Sequence, residues 1–267
     1  MTIVVPDLEA RLAYSDASGC ATWEGHEVED EMRFREFLAG PVNDRVSDRE
    51  MTEPWEEEIR GLASTDTDPN FLEDFFEATP ETRDWELGEA LAETVLDEDE
   101  DREVVWPWND ARDRKTPKAS LPGADLVGFA RDDDGYVLLL GEVKSSRDSS
   151  SPPGVMYGEK GMHWQLYRNA TRLEIQHRLW KWLSARCESE ELKAAYRQAL
   201  QRYLHSNGTD LIIAGVLCRD IAPNVMDLKS RAESLGDELS PPTKVEFSAW
   251  YLPVPIAQWT EIAGGDS

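Results

Sequence analysis

The run from Tyr136 to Lys144, YVLLLGEVK, constrains this chain more than any other stretch. Side chains of a strand alternate between the two faces of a sheet. Here both faces receive apolar residues, Val137 and Leu139 on one and Leu138 and Leu140 on the other, before Glu142 and Lys144 arrive. A strand that is apolar on both sides is central and covered on each face. Charges at the end of such a strand are costly unless paired or metal-bound. Glu142 and Lys144, two residues apart and so on one face, therefore call for a partner.

Hairpin geometry supplies one. Ala124 to Ala130 and Tyr136 to Ser145 read as strands joined by Arg131-Asp132-Asp133-Asp134-Gly135, whose Asp-Gly pair is a hairpin signal. A two-residue loop sets Asp125 opposite Lys144, and a four-residue loop sets it opposite Glu142. In both registers the three side chains share one face. Two carboxylates without histidine or cysteine form a hard oxygen site suited to Mg²⁺ or Mn²⁺. A neighbouring lysine orients a water and favours its deprotonation, and such a metal polarises a phosphate. The chemistry expected is phosphodiester hydrolysis; the plain alternative is a salt bridge at a strand end.

The rest of the chain frames that strand. Residues 1 to about 80 read as short, acidic, helix-biased segments, among them Glu29 to Leu38, Glu56 to Leu62 and Asn70 to Phe76. Leu87, Ala90, Leu91, Thr94 and Val95 mark one face of a helix capped by Thr82 or Asp84 and running to about Leu96. Glu103 to Trp108, β-branched and aromatic, is a first strand, stopped by Pro107, Asn109 and Asp110. Asp148 to Gly154 reads as a mobile loop. Helix follows from Gly161 to Arg186 and from Glu188 to His205, then a buried apolar strand from Asp210 to Cys218, a helix near Met226 to Leu235, and a last strand from Lys244 to Val254. The fold expected is α/β (α+β): a mixed central sheet flanked by helices, with an acidic, mostly helical extension over 1–80 and the sheet domain over 81–267.

Charge separates the two parts. Of the net −26, residues 1–103 hold 8 arginines, no lysine and 32 carboxylates, a charge of −24; residues 104–267 are close to balanced at −2. So acidic a chain repels nucleic acid and anionic membrane on its own. Adaptation to high salt would spread acid over every surface, whereas this asymmetry points to an acidic region that docks a basic partner or screens a nearby site. The apolar runs are too short to cross a bilayer, and the start lacks a basic segment followed by an apolar one, so a cytoplasmic location is expected. Cys20, Cys187 and Cys218 lie too far apart for a zinc knuckle and read as small buried side chains.

The run LPGADLVGFARDDDGYVLLLGEVKSS resembles the core of the PD-(D/E)XK nuclease superfamily, Pro122-Gly123-Ala124-Asp125 being the first half of its motif and Glu142-Val143-Lys144 the second. The order of elements over residues 84 to 218 is similar too. Ala124 departs from the pattern, since many members carry proline directly before the aspartate. The resemblance implies a restriction-endonuclease-like αβββαβ core. It also implies a divalent metal held by Asp125, Glu142 and the Val143 backbone carbonyl, a water assisted by Lys144, and an acidic residue from the preceding helix. That last role falls to Glu89, with Glu86 or Glu93 as substitutes. The combination of Gly88-Glu89, Pro122-Gly123-Ala124-Asp125 and Gly141-Glu142-Val143-Lys144 further resembles the HamA nuclease subunits of Hachiman-type anti-phage defence, which implies DNA as substrate and a helicase-like or ATPase partner.

Basic and aromatic residues interleave on the helix after the motif, as they do on nucleic-acid surfaces. Arg168 and Arg172 there, with Lys118 and Arg147 flanking the hairpin, are candidate DNA contacts, and Gln165 is a candidate for positioning phosphate. The four histidines show no metal-ligand spacing, and Gly154 to Gly161 lacks the Gly-Lys-Ser/Thr of a phosphate-binding loop. The rival to a DNA endonuclease or nickase is an inactive, nuclease-like subunit whose acidic N-terminal region docks a partner.

Overall fold

The two most apolar strands of the sequence pair with each other. In the computed structural model, which describes residues 5–63, 69–78, 82–100, 102–109, 113 and 123–264, β5 (Gly135–Ser146) lies parallel to β6 (Leu211–Arg219), every residue of which is buried. They sit inside a mixed sheet of seven strands among the described residues. From edge to edge it runs β1 (Arg11–Ser18), β2 (Ala21–Glu27), β7 (Lys244–Tyr251), β6, β5, β4 (Leu126–Asp132) and β3 (Val104–Val105). β2, β7, β6 and β5 are parallel, and the antiparallel pairs β1·β2, β4·β5 and β3·β4 close the two sides.

Helices cover both faces, as two-sided burial requires. On one face α5 (Asp84–Asp97) lays Leu87, Leu91 and Val95 over Leu126, Val137 and Leu139, joined by Phe34 and Phe37 of α1 (Glu31–Phe37) and Trp259 of α10 (Trp259–Gly264). On the other, α6 (Met162–Thr171), α7 (Leu173–Ser184), α8 (Glu190–His205) and α9 (Lys229–Glu238) pack Leu166, Leu179, Ala199 and Leu235 against Phe129, Leu138, Leu140 and Leu217. Each such leucine contributes about 1.5–3 kcal/mol by leaving water, so Leu139→Ala at the centre of β5 costs about 2–5 kcal/mol. The remaining helices, α2 (Asn43–Val46), α3 (Arg49–Leu62) and α4 (Pro69–Glu77), precede α5. No helix among the described residues is long and apolar enough to cross a membrane.

Several local expectations change. Residues 11–27, read as helix-biased, form a hairpin: the turn Gly19-Cys20, with Gly19 at φ +59, reverses the chain, and β2 then pairs with β7. The acids of this hairpin disguise a strand, β2, that buries Ala21, Trp23 and even Glu24 and His26. β3 is only two residues long, because after Pro107 the Trp108 indole N–H takes the Val127 carbonyl at 2.8 Å in place of a backbone donor. The long helix breaks at Arg172, whose backbone is extended. Cys187 and Cys218 are buried as expected, while Cys20 is half-buried.

Candidate active site

The β4–β5 hairpin turns through Asp133-Asp134, with Asp132 opposite Gly135. Gly135 follows the turn at φ +100, a conformation that favours glycine. The turn thus lies one residue earlier than the Asp134-Gly135 turn expected for a two-residue loop, so Asp125 comes opposite Glu142 and not Lys144. The ladder stops at Leu126 opposite Gly141, and the Asp125 N–H still donates to the Gly141 carbonyl at 3.0 Å. Beyond that point β5 has lost its β4 partner, and the Val143 N–H donates to Asp125 Oδ2 at 3.0 Å instead. The N–H and C=O of one strand residue point the same way, so the Val143 carbonyl faces the side where β4 has ended.

Asp125, Glu142 and Lys144 meet there. Lys144 Nζ bonds Glu142 Oε1 and lies 3.8 Å from Asp125 Oδ2. Asp125 and Lys144 are about a quarter exposed, but Glu142 is only 1% exposed. Its second oxygen, Oε2, is buried with no hydrogen-bond partner. Burial first, and then the Asp125 charge, pushes the Glu142 carboxyl up to about 8, against the pull of Lys144.

A buried carboxylate oxygen without a donor, beside a second carboxylate, fits a divalent cation. Mg²⁺ characteristically takes one or two carboxylates and completes its shell with water and phosphate oxygens. Among the described residues no group of three or more His, Cys, Asp or Glu side chains is arranged around one point. The donors gathered here are therefore Asp125, Glu142 and the Val143 carbonyl. Glu89, the third carboxylate expected, is half-buried on α5, one residue after Gly88. A Cβ on Gly88 would stand 2.7 Å from Ser145 Oγ, so this turn of α5 abuts the end of β5 from the face opposite Glu142 and Lys144. Of the substitutes, Glu93 is paired with Arg45 at 2.7 Å and Glu86 accepts the Arg83 N–H at 2.8 Å, closing the start of α5.

The helix after the motif lies on the Glu142 face. Gly215, beside Glu142 in the β5·β6 pair, has no room for a Cβ because the Met162 sulfur of α6 would stand 2.9 Å from it. Gln165 follows one turn on, its Oε1 buried without a partner. Arg168, Arg172 and Arg147 are exposed. The start of α7 abuts the motif loop, since a Cβ on Gly123 would meet Ile175 at 3.2 Å. Lys118 and Pro122 lie outside the described residues.

One supporting residue escaped the sequence argument. Arg219, at the end of β6, is fully buried on the Glu142 face and donates to the Asp148 carbonyl at 2.6 Å and the Ser150 carbonyl at 3.3 Å. Its Nη1 stands 3.6 Å from the buried Asp227, which Tyr251 contacts at 3.0 Å. The Asp148 side chain accepts from Ser150 and Gly154 N–H groups. The serine-rich segment expected to be a mobile loop is thus tied to the sheet directly after Lys144. An arginine ending an otherwise apolar strand was the only sequence signal. No family model matches the chain, and no curated protein matches it.

Proposed function

We propose that the protein is a metal-dependent nuclease that hydrolyses phosphodiester bonds in DNA at Asp125, Glu142 and Lys144. The observation that carries this reading is the unsatisfied oxygen of the buried Glu142, held beside Asp125 and Lys144 at the end of a central strand. Asp125, Glu142 and the Val143 carbonyl would hold Mg²⁺ or Mn²⁺, with Glu89 the candidate to join them. When bound, the cation polarises the phosphate and stabilises charge on the leaving oxygen. Glu142 would have to be ionised to hold it. Lys144, its ammonium between the two carboxylates, orients the attacking water and stabilises the charge that develops there. Gln165, Arg168, Arg172 and Arg147 position the phosphate backbone, as would Lys118.

A chain of net charge −26 binds DNA poorly by itself. This supports action as the nuclease subunit of a complex in which a helicase-like or ATPase protein delivers DNA, as the resemblance to Hachiman-type defence nucleases implies. The test is cleavage of plasmid, linear duplex, single-stranded DNA and RNA by the purified chain, alone and with its partner, in Mg²⁺, Mn²⁺ or chelator. Metal-dependent cutting of DNA, lost in Glu142→Gln and Lys144→Met, is expected. Cleavage unchanged in both variants overturns the assignment.

The direct Lys144–Glu142 contact favours a second reading, in which the nuclease-like core is inactive and the chain is a docking subunit. Absence of cleavage with every metal, in the presence of the partner, would select it.

A further inference from the structure

Among the described residues, the helices α3 and α4 present an aromatic face that no other element covers. Met51, Trp55, Ile59 and Leu62 recur along one side of α3, and Leu62 is 74% exposed. Trp55 packs on Phe75 and Phe76 of α4, each with ring centroids 5.9 Å away, and Phe71 stacks on Phe75 at 6.1 Å. These contacts hold the two helices together, yet Trp55, Phe75 and Phe71 stay 44%, 45% and 62% exposed. Scattered exposed apolar residues need no explanation; a contiguous aromatic patch marks an interaction site.

Its surroundings identify the occupant. α3 holds five glutamates against two arginines, and α4 has no basic residue. Arg49 is engaged by Asp44 and Glu53, and Arg60 by Glu56 while lying over the Phe76 ring. At the root of α3 an open cleft of about 450 Å³ continues the acid: six carboxylates, Asp97 and Glu98 among them, line it against two arginines, Arg45 and Arg49, which are paired with Glu93 and with Asp44 and Glu53 respectively. Partial burial and the Asp7 and Asp97 charges hold Glu98 above its ordinary range. DNA and anionic lipid are repelled from such a face, and a second copy would bring the same charge to it. A cationic helix with an apolar stripe matches its chemistry.

We propose that the outer face of α3 and α4 docks a basic, amphipathic segment of a partner protein, its apolar stripe on Trp55, Phe71 and Phe75 and a lysine or arginine in the cleft. This narrows the acidic N-terminal region to one surface and stands independently of the nuclease reading, so an Asp125→Asn chain should select the same ligands.

The test is selection of a displayed peptide library on the intact chain, followed by affinity measurement of the enriched peptides. Enriched peptides should be lysine- or arginine-rich with apolar residues at helical spacing. They should bind the Phe71→Ser/Phe75→Ser chain and the chain with Glu58→Lys beside the stripe and Glu98→Lys in the cleft at least about tenfold more weakly, and should weaken as salt rises. The substituted phenylalanines are exposed, and circular dichroism checks that both variants keep the parent fold. Failure to enrich any peptide, enrichment of neutral or acidic ones, or equal binding to both variants overturns the proposal. So does binding of duplex DNA or phosphatidylserine vesicles that the phenylalanine variant abolishes. A dimer in sedimentation that the same variant disperses would give the face to a second copy, and overturns it too.

Discussion

The β4–β5 hairpin carries a charge cluster at each end, and the two ends are built on opposite principles. At the turn, Asp132 receives Arg202 at 2.6 and 3.1 Å and Lys244 at 2.8 Å, while Arg202 also holds Asp210. Burial works against the Asp132 charge, but these donors outweigh it and hold the carboxyl far below the usual range. At the open end Glu142 has one cation, a second carboxylate as neighbour and an oxygen with no donor. One cluster is complete and fastens the strands to α8 and β7. The other lacks positive charge, and that deficit separates a candidate site from a structural ion network.

Exchanging the two carboxylates for amides probes this contrast most strongly. Glu142→Gln should lower cleavage by about 10³-fold or more, while Asp132→Asn leaves cleavage close to that of the parent. Stability should move the other way. Asp132→Asn weakens several charge-assisted bonds and costs about 2 kcal/mol, whereas Glu142→Gln in chelator gains on the order of 1–3 kcal/mol at pH 8. Urea melts of both variants, run beside the cleavage assay, measure the crossover. Equal loss of activity in both would erase the distinction between the ends.

The pH dependence should also have opposite signs. Glu142 is raised from 4.5 to about 8, so in chelator the folded state binds the extra proton. Its contribution to stability is whole below 4.5 and is lost as pH rises through about 8. Asp132 is lowered, so its contribution is present above 3.8 and is lost only as pH falls through its depressed value. Chelated protein should therefore lose stability between pH 5 and 8 with a slope no steeper than about 1.4 kcal/mol per unit, and Glu142→Gln should flatten that slope. Protons and Mg²⁺ compete for Glu142, so Mg²⁺ affinity, read by calorimetry, should fall as pH drops below about 8.

The smallest effect is expected at the rim. Arg172→Ala should raise KM for DNA a few-fold, leave kcat within about a factor of two, and reduce the salt slope of binding by about one.

The contrast was partly legible in advance. Apolar residues on both faces of β5 force a covered central sheet, and once Asp125 lies across a hairpin from Glu142 and Lys144 the three must share a face whichever register forms. The register itself was not legible. Three consecutive aspartates, 132 to 134, leave the turn position undecided, and what accompanies the observed choice, Arg202 and Lys244 on Asp132, comes from residues 70 and 112 positions away. Arg219 was hidden for the same reason, since its Asp227 and Asp148 partners assemble only in the fold. The β1–β2 hairpin was missed because its strand character is completed by β7, at the far end of the chain.

That last pairing bears on biosynthesis. The edge that β2 adds to the sheet has no template until residues 244–251 have emerged from the ribosome and joined β6. Until then the β1–β2 hairpin must wait outside its final place, because its pairing joins segments more than two hundred positions apart, the slowest kind of contact to form. The acid around Asp16, Glu24 and Glu27 keeps that waiting segment soluble.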